Sequence, residues 1–446
     1  MIIKNGKVAF PGANNFKRID IKINDGKIAE FSSDLKDDDC IDARGVFVLP
    51  GGIDPHVHFD EPGFTDREDF YHGSCAAASG GITTVIDMPC TSIPPVINKE
   101  NLLHKLNIIK RKSLIDFGLF GGISGQSYPE YKKNMQELSD YVLGFKTYFI
   151  SGMESFHRLN HYQFLNILKQ SGEINRPVLL HAEDLEYVNE ATEIEMEKGK
   201  GWKNYYNSRP EIAELLAVQN AITLAEDTKT DLYIVHLGTA QAAGLLKDKQ
   251  NISGETAPHY LEFDVDDLER IGSSLKTAPV VKSAYNKEQL WDLLRDGVIN
   301  FVASDHAPAP AKHKNTGSVW TDYSGIPGTG TLLPYIFSQG FINGKLSLDR
   351  MLEVISENSA KRYGIFDRKG SIEIGKDADL VLINPDEKWT VRGEEFYSKG
   401  KITPFEGMEF QGKVIKTIVR GKVVFDSNKG IVEKAGFGSF IKSSPR

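Results

Sequence analysis

Cysteine is scarce in this chain. Cys40, Cys75 and Cys90 are the only three in 446 residues. None forms a Cys-x-x-Cys pair, so neither a disulfide framework nor a zinc ribbon is available, and a reducing cytoplasm is the expected compartment. No apolar run approaches the ~20 residues that cross a bilayer, and residues 1–6 lack the long apolar stretch of a secretion leader. No membrane partner is expected. Positive charge is outnumbered, with 53 Lys and Arg against 61 Asp and Glu for a net charge of -8, which argues against nucleic acid. It does not exclude a small anion, because local charge governs a pocket. No Gly-x-Gly-x-x-Gly or Walker pattern follows a strand-like run, so the dinucleotide and P-loop folds lose their signature.

Ordinary soluble composition is what remains, 40% hydrophobic and 26% charged, in a chain long enough for a large core. Its two ends are alike. Residues 2–8 and 18–28 read as short half-polar strands punctuated by Asn5-Gly6 and Asp25-Gly26, and residues 378–383 and 414–425 show the same style. Neither set can bury a face alone. They therefore predict one small β-sandwich domain built from residues 1–50 and 371–446. Between them, over residues 51–370, apolar runs at 81–88, 115–120, 142–148, 178–181, 232–236 and 299–305 alternate with helix-like stretches such as 211–227. Near-continuous apolar strands separated by helices indicate a buried parallel sheet. Over this length an α/β fold of the (β/α)8 TIM-barrel type is predicted, with an open doubly wound sheet as the alternative.

His56-Val57-His58 carries the first chemical signal. On a strand, residues i and i+2 share a face, so both imidazoles reach one point, as metal ligands must. Alone, the pattern arises by chance. However, Lys146, His181, His236 and Asp305 lie at the ends of other apolar runs, and in a parallel barrel those ends converge on the active-site mouth. Singly, each has an ordinary explanation: a hydrogen-bonded structural His, or a snorkelling Lys. Together they predict a metal site. Lys146 is the odd member, since an ammonium repels cations. As a neutral amine it combines with carbon dioxide into an anionic carbamate with two oxygens, and burial favours the amine. A binuclear centre follows.

The set resembles the amidohydrolase superfamily, in particular its cyclic amidases: dihydroorotases, allantoinases and hydantoinases. The matching motifs are Asp54-Pro55-His56-Val57-His58-Phe59-Asp60-Glu61-Pro62-Gly63, Gly80-Gly81-Ile82-Thr83-Thr84, Gly144-Phe145-Lys146, His181-Ala182-Glu183-Asp184, Val235-His236-Leu237, Gly254-Glu255-Thr256-Ala257-Pro258-His259 and Ser304-Asp305-His306-Ala307-Pro308. They run in order almost end to end. By that resemblance His56, His58, N6-carboxylated Lys146 and Asp305 hold one divalent metal, while Lys146, His181 and His236 hold the other. A metal-bridging hydroxide attacks the ring amide carbon, and Asp305 is the catalytic base and then acid. Zinc is the first expectation, although the ligand set also suits manganese, cobalt or iron. His259 and His306 are expected in supporting roles, and the relatives commonly form homo-oligomers.

The ring is narrowed by departures from these patterns. Dihydroorotases carry Arg at the position of Asp60 and Asn at that of Cys90, both binding a substrate carboxylate, which Asp60 would repel. Arg67 offers a basic group from another direction. Allantoinases have a neutral residue there, and their Asp-Met-Pro-x-x-Ser-Ile-Pro-Pro run resembles residues 87–95. Their Lys-Cys-Ala-Pro-Pro likewise resembles Lys276-Thr277-Ala278-Pro279-Val280, but Phe64 replaces an Arg. Ring opening of a ureide or dihydropyrimidine-type C–N bond, allantoinase-like, is therefore the expected activity. Dihydroorotase is the alternative, and a catalytically silent scaffold or binding relative the second. A deaminase on this scaffold is disfavoured by Lys146. The expected substrate contacts are Asp60, through a ureido N–H, Cys90, Pro279, and Gly328 within the glycine-rich 326–331 loop.

Overall fold

Eight parallel strands, buried along their whole length, form the centre of the computed structural model, which describes residues 1–36 and 38–442. They are β1 (Gly52–Val57), β2 (Ile82–Asp87), β3 (Asp116–Leu119, resumed at Gly121–Gly122) and β4 (Phe145–Tyr148). The circle continues through β5 (Val178–His181), β6 (Leu232–Ile234), β7 (Ile252–Thr256) and β8 (Phe301–Val302). Each pairs with the next. A parallel bridge from Val57 to His306 brings the last back to the first, and His58 N–H donates to the His306 carbonyl at 2.8 Å. The predicted (β/α)8 barrel is therefore closed.

Helices cover the outside, as continuous apolar strands require. The expected helix at 211–227 runs from Glu211 to Thr228. His161–Ile174 starts at a capping box in which Asn160 and Gln163 satisfy each other's backbone amides. Among the described residues, no helix is long and apolar enough to cross a membrane.

The two chain ends meet in one sheet. Phe47–Pro50 pairs antiparallel with Leu380–Thr390, Leu380 lying opposite Pro50. A second sheet runs in the order Lys27–Ser32, Asp20–Asn24, Ile2–Lys4, Cys40–Asp42. The core between the sheets joins Ile3, Ile21 and Val48 to Leu380, Leu382 and Ile418. Residues 436–441 leave this unit and run beside β3, with Phe117 N–H donating to the Ser439 carbonyl at 3.0 Å and Ile441 N–H to that of Phe117 at 2.8 Å.

A buried ionic knot ties barrel to sandwich. Lys369 Nζ lies 2.6 Å from Asp116 of β3, 3.1 Å from Asp377 and 2.5 Å from Asp379, and Arg420 also pairs with Asp116. The three carboxylates are close enough to hold a cation, and the ammonium of Lys369 fills that role. Lys369→Met strands them, and the expected cost is about 3–5 kcal/mol. Urea denaturation of the variant measures it; an unchanged midpoint would mean the knot is dispensable.

Candidate metal centre and active site

The ligand candidates sit where the barrel strands end. His56 lies in β1 with His58 just beyond it, Lys146 is in β4, His181 ends β5, and His236 and Asp305 follow β6 and β8. His236 and Asp305 hold left-handed backbone angles, φ 40° and 49°, uncommon for residues with a side chain and typical of functional turns. One oxygen of Asp305 faces two imidazoles, 3.1 Å from His56 Nε2 and 3.4 Å from His58 Nε2. Ligand atoms of these three residues lie within 4.8 Å of one another. Beside them, His181 Nδ1 and His236 Nε2 face each other at 2.9 Å.

Lys146 is fully buried and its Nζ has no hydrogen-bond partner. Burial pushes its ammonium down to about 8, against the pull of Cys90, Glu255 and Asp305. An orphaned amine, an imidazole pair nose to nose and a carboxylate between two more imidazoles form a donor set that fits two divalent cations.

Three of the four imidazoles are oriented from behind, while His236 Nδ1 has no hydrogen-bond partner. His56 Nδ1 bonds Glu255, which also accepts from the Tyr233 hydroxyl at 2.9 Å. His58 Nδ1 is 3.1 Å from the Thr91 hydroxyl, and His181 Nε2 is 2.9 Å from Glu183. Burial opposes the charge on Glu183, yet Arg209 and His181 hold it well below the usual carboxylate range. These partners fix which nitrogen points inward. Glu183 and Glu255 stand in motifs recognised in the sequence, but nothing in the pattern assigned them this work. His306 supports the site as expected, with Nδ1 accepting from the backbone of Gly328 at 3.1 Å and Thr329 at 3.3 Å. His259 is buried with neither ring nitrogen partnered, and burial pushes it down to about 4.

A cavity of about 330 Å3 opens over the ligands, walled by Phe64, Arg67, Cys90, Tyr148, Arg209 and Tyr323, with Thr277, Ala278, Ser324 and Gly325 closing one side. Of the four expected substrate contacts, Cys90 is on this wall, its Sγ 3.0 Å from the Tyr148 hydroxyl. The other three lie behind it. Asp60 is 0% exposed, sits 2.9 Å from Arg67 Nε and has its carboxyl pushed up to about 7 by burial, with Arg67 opposing. The residue presented to the cavity is thus Arg67. Pro279 is buried with its carbonyl bonded to the Tyr260 hydroxyl at 2.7 Å, so Thr277 and Ala278 take the wall position. The amide of Gly328 is engaged by His306, and Ser324 and Gly325 line the cavity instead. Lys314 holds this last stretch, donating to the carbonyls of Tyr323 at 3.1 Å and Gly325 at 2.6 Å.

The sequence and the fold both have counterparts among known proteins. The sequence is 35% identical over 445 residues to an allantoinase of Rubrobacter xylanophilus, covering 98% of this chain and 96% of that one. It is 34% identical over 454 residues to an L-hydantoinase of Paenarthrobacter aurescens, covering 99% and 97%. The fold matches that of an L-hydantoinase (dihydropyrimidinase) from Arthrobacter aurescens with a TM-score of 0.93 at 32% identity, over 99% of both chains. The model of the amidohydrolase family spans residues 47–424, which take in all eight barrel strands and all six ligand candidates. Sequence, fold and the convergence of those side chains agree, and the chain belongs to the amidohydrolase family.

Proposed function

We propose that this protein is a metal-dependent cyclic amidohydrolase that opens the ring of a ureide, with allantoin as the first candidate. The observation that carries this is Lys146 Nζ, buried and unpartnered within the cluster of four imidazoles and Asp305. His56, His58 and Asp305 would hold one ion, His181 and His236 the second, and carboxylated Lys146 both, with zinc the first candidate. When bound, the ions supply Lewis acidity toward the ring carbonyl and acidify a water toward neutral pH. Asp305 takes the proton of the attacking water and returns it to the ring nitrogen as the C–N bond breaks, because an amide nitrogen leaves poorly unprotonated. The products are a carboxylate and a ureido or amide nitrogen on one open chain. The apolar faces of Phe64 and Tyr148 limit water around the reacting carbon.

Allantoin is favoured over dihydroorotate because Cys90 lines the cavity at the position where a dihydroorotase carries Asn. The relatives named allantoinase support this ranking, and those named hydantoinase make a hydantoin or dihydropyrimidine the second reading. Homo-oligomers are expected. The test is hydrolysis of allantoin, hydantoin, dihydrouracil and dihydroorotate by zinc-reconstituted protein. Allantoin should give the highest kcat/KM, and a chelator should abolish turnover until metal is returned. Turnover of dihydroorotate alone would overturn the assignment.

A further inference from the structure

Arg67 reaches the cavity by an arrangement that the ligand set does not require. After His58 the chain turns back on itself: Phe64 N–H donates to the Asp60 carbonyl and Arg67 N–H to that of Phe64, both at 2.9 Å. Asp60 holds a left-handed backbone, φ 56°, within this turn. The result stacks the guanidinium between two rings, its carbon 4.1 Å from the centre of Phe64 and 5.0 Å from that of Tyr323. Nε faces the buried Asp60 carboxylate at 2.9 Å. Neither Nη has a hydrogen-bond partner among the described residues, and the side chain is 16% exposed where it meets the cavity. Arg209, the other cavity arginine, differs because its Nη1 is engaged by Glu183.

A guanidinium paired by charge with Asp60 at Nε, without a hydrogen bond there, packed near two rings and unengaged at both Nη, is placed to accept one planar oxygen-bearing group. Given the ring-opening activity proposed above, we infer that Arg67 is the specificity-determining residue and reads the ring's substituent, selecting rings that carry a ureido or carboxylate group over bare or apolar-substituted ones. Asp60 is its positioning residue, and Phe64 and Tyr323 fix the plane. The guanidinium thus enters from position 67 while positions 60 and 64 hold Asp and Phe.

The experiment compares kcat/KM of zinc-loaded protein on four rings: allantoin, hydantoin-5-acetate, hydantoin and 5-benzylhydantoin. Allantoin separates a ureido group from the carboxylate of hydantoin-5-acetate. In the parent protein one of these two should exceed both hydantoin and 5-benzylhydantoin. In Arg67→Met, the ratio of that ring to hydantoin should fall roughly 10- to 100-fold, mostly through KM. Should stranding Asp60 prevent folding, Asp60→Asn/Arg67→Met removes both charges and is expected to show the same collapse of the ratio. Arg67→Lys keeps a charge without the fork and should restore only part of it. An unchanged ratio in these variants, or a parent preference for the benzyl ring, would overturn the inference while leaving the ring-opening activity standing. Silence on all four rings and on dihydrouracil would instead overturn that activity, and this inference with it.

Discussion

Lys146→Ala is expected to lower kcat/KM on the ring substrate by on the order of 10^3-fold or more, and to reduce bound metal from two ions per chain to one or none. The side chain is fully buried and its Nζ meets no partner, so a plain lysine would leave a polar group unsatisfied in the barrel, at a cost of a few kcal/mol. As a carbamate it would supply an anionic ligand beside the His56/His58/Asp305 group and the His181/His236 pair. Elemental analysis reads the metal loss directly, and propionate in the vacated space should restore part of the activity. Wild-type turnover with two metals in the variant would remove Lys146 from the mechanism. Metal-free protein should respond in the opposite sense to Lys146→Met. Burial pushes the folded amine down to about 8 from its ordinary value of 10.5. The charged form is therefore penalised in the fold: the penalty is full below pH 8 and disappears as pH rises past 10.5. Thermal unfolding of the metal-free variant at pH 7 should show a higher Tm than the parent.

Asp305→Asn is expected to lower kcat by roughly 10^2- to 10^4-fold, the usual worth of a positioned acid–base group. Asn is the informative replacement because it tolerates the left-handed backbone that residue 305 adopts at φ 49°. The amide oxygen still faces His56 and His58, so ligand geometry survives better than with Ala, while proton transfer is lost. A variant with normal kcat and a raised KM would assign Asp305 to binding alone.

The convergence of the six candidate residues was legible because chemistry and fold place the same demand on them. A metal needs several donors, and a parallel barrel delivers them at the ends of apolar runs that are easy to see. β7 shows the limit. Ile252–Thr256 reads Ile-Ser-Gly-Glu-Thr, with no apolar run to mark it, because its Glu255 serves His56 and the Tyr233 hydroxyl. The wall of the cavity was harder for a related reason. Its charge, at the position of a dihydroorotase Arg, made Asp60 the expected substrate contact, but the 60–67 turn folds Asp60 inward and brings Arg67 to the cavity, with two backbone hydrogen bonds holding the turn. Gly328 does not line the cavity, and its amide serves His306, a contact between positions 22 residues apart.

The pairing of Phe47–Pro50 with Leu380–Thr390 also sets a timetable for biosynthesis. The earlier strand leaves the ribosome some 330 residues before its mate, which at ~5–20 residues per second is about 15–70 s with an uncovered apolar edge. The nascent chain must keep that edge from other polypeptides until translation is nearly finished, so folding yield in a cell would depend on chaperone supply and elongation rate more than on the final stability of the barrel.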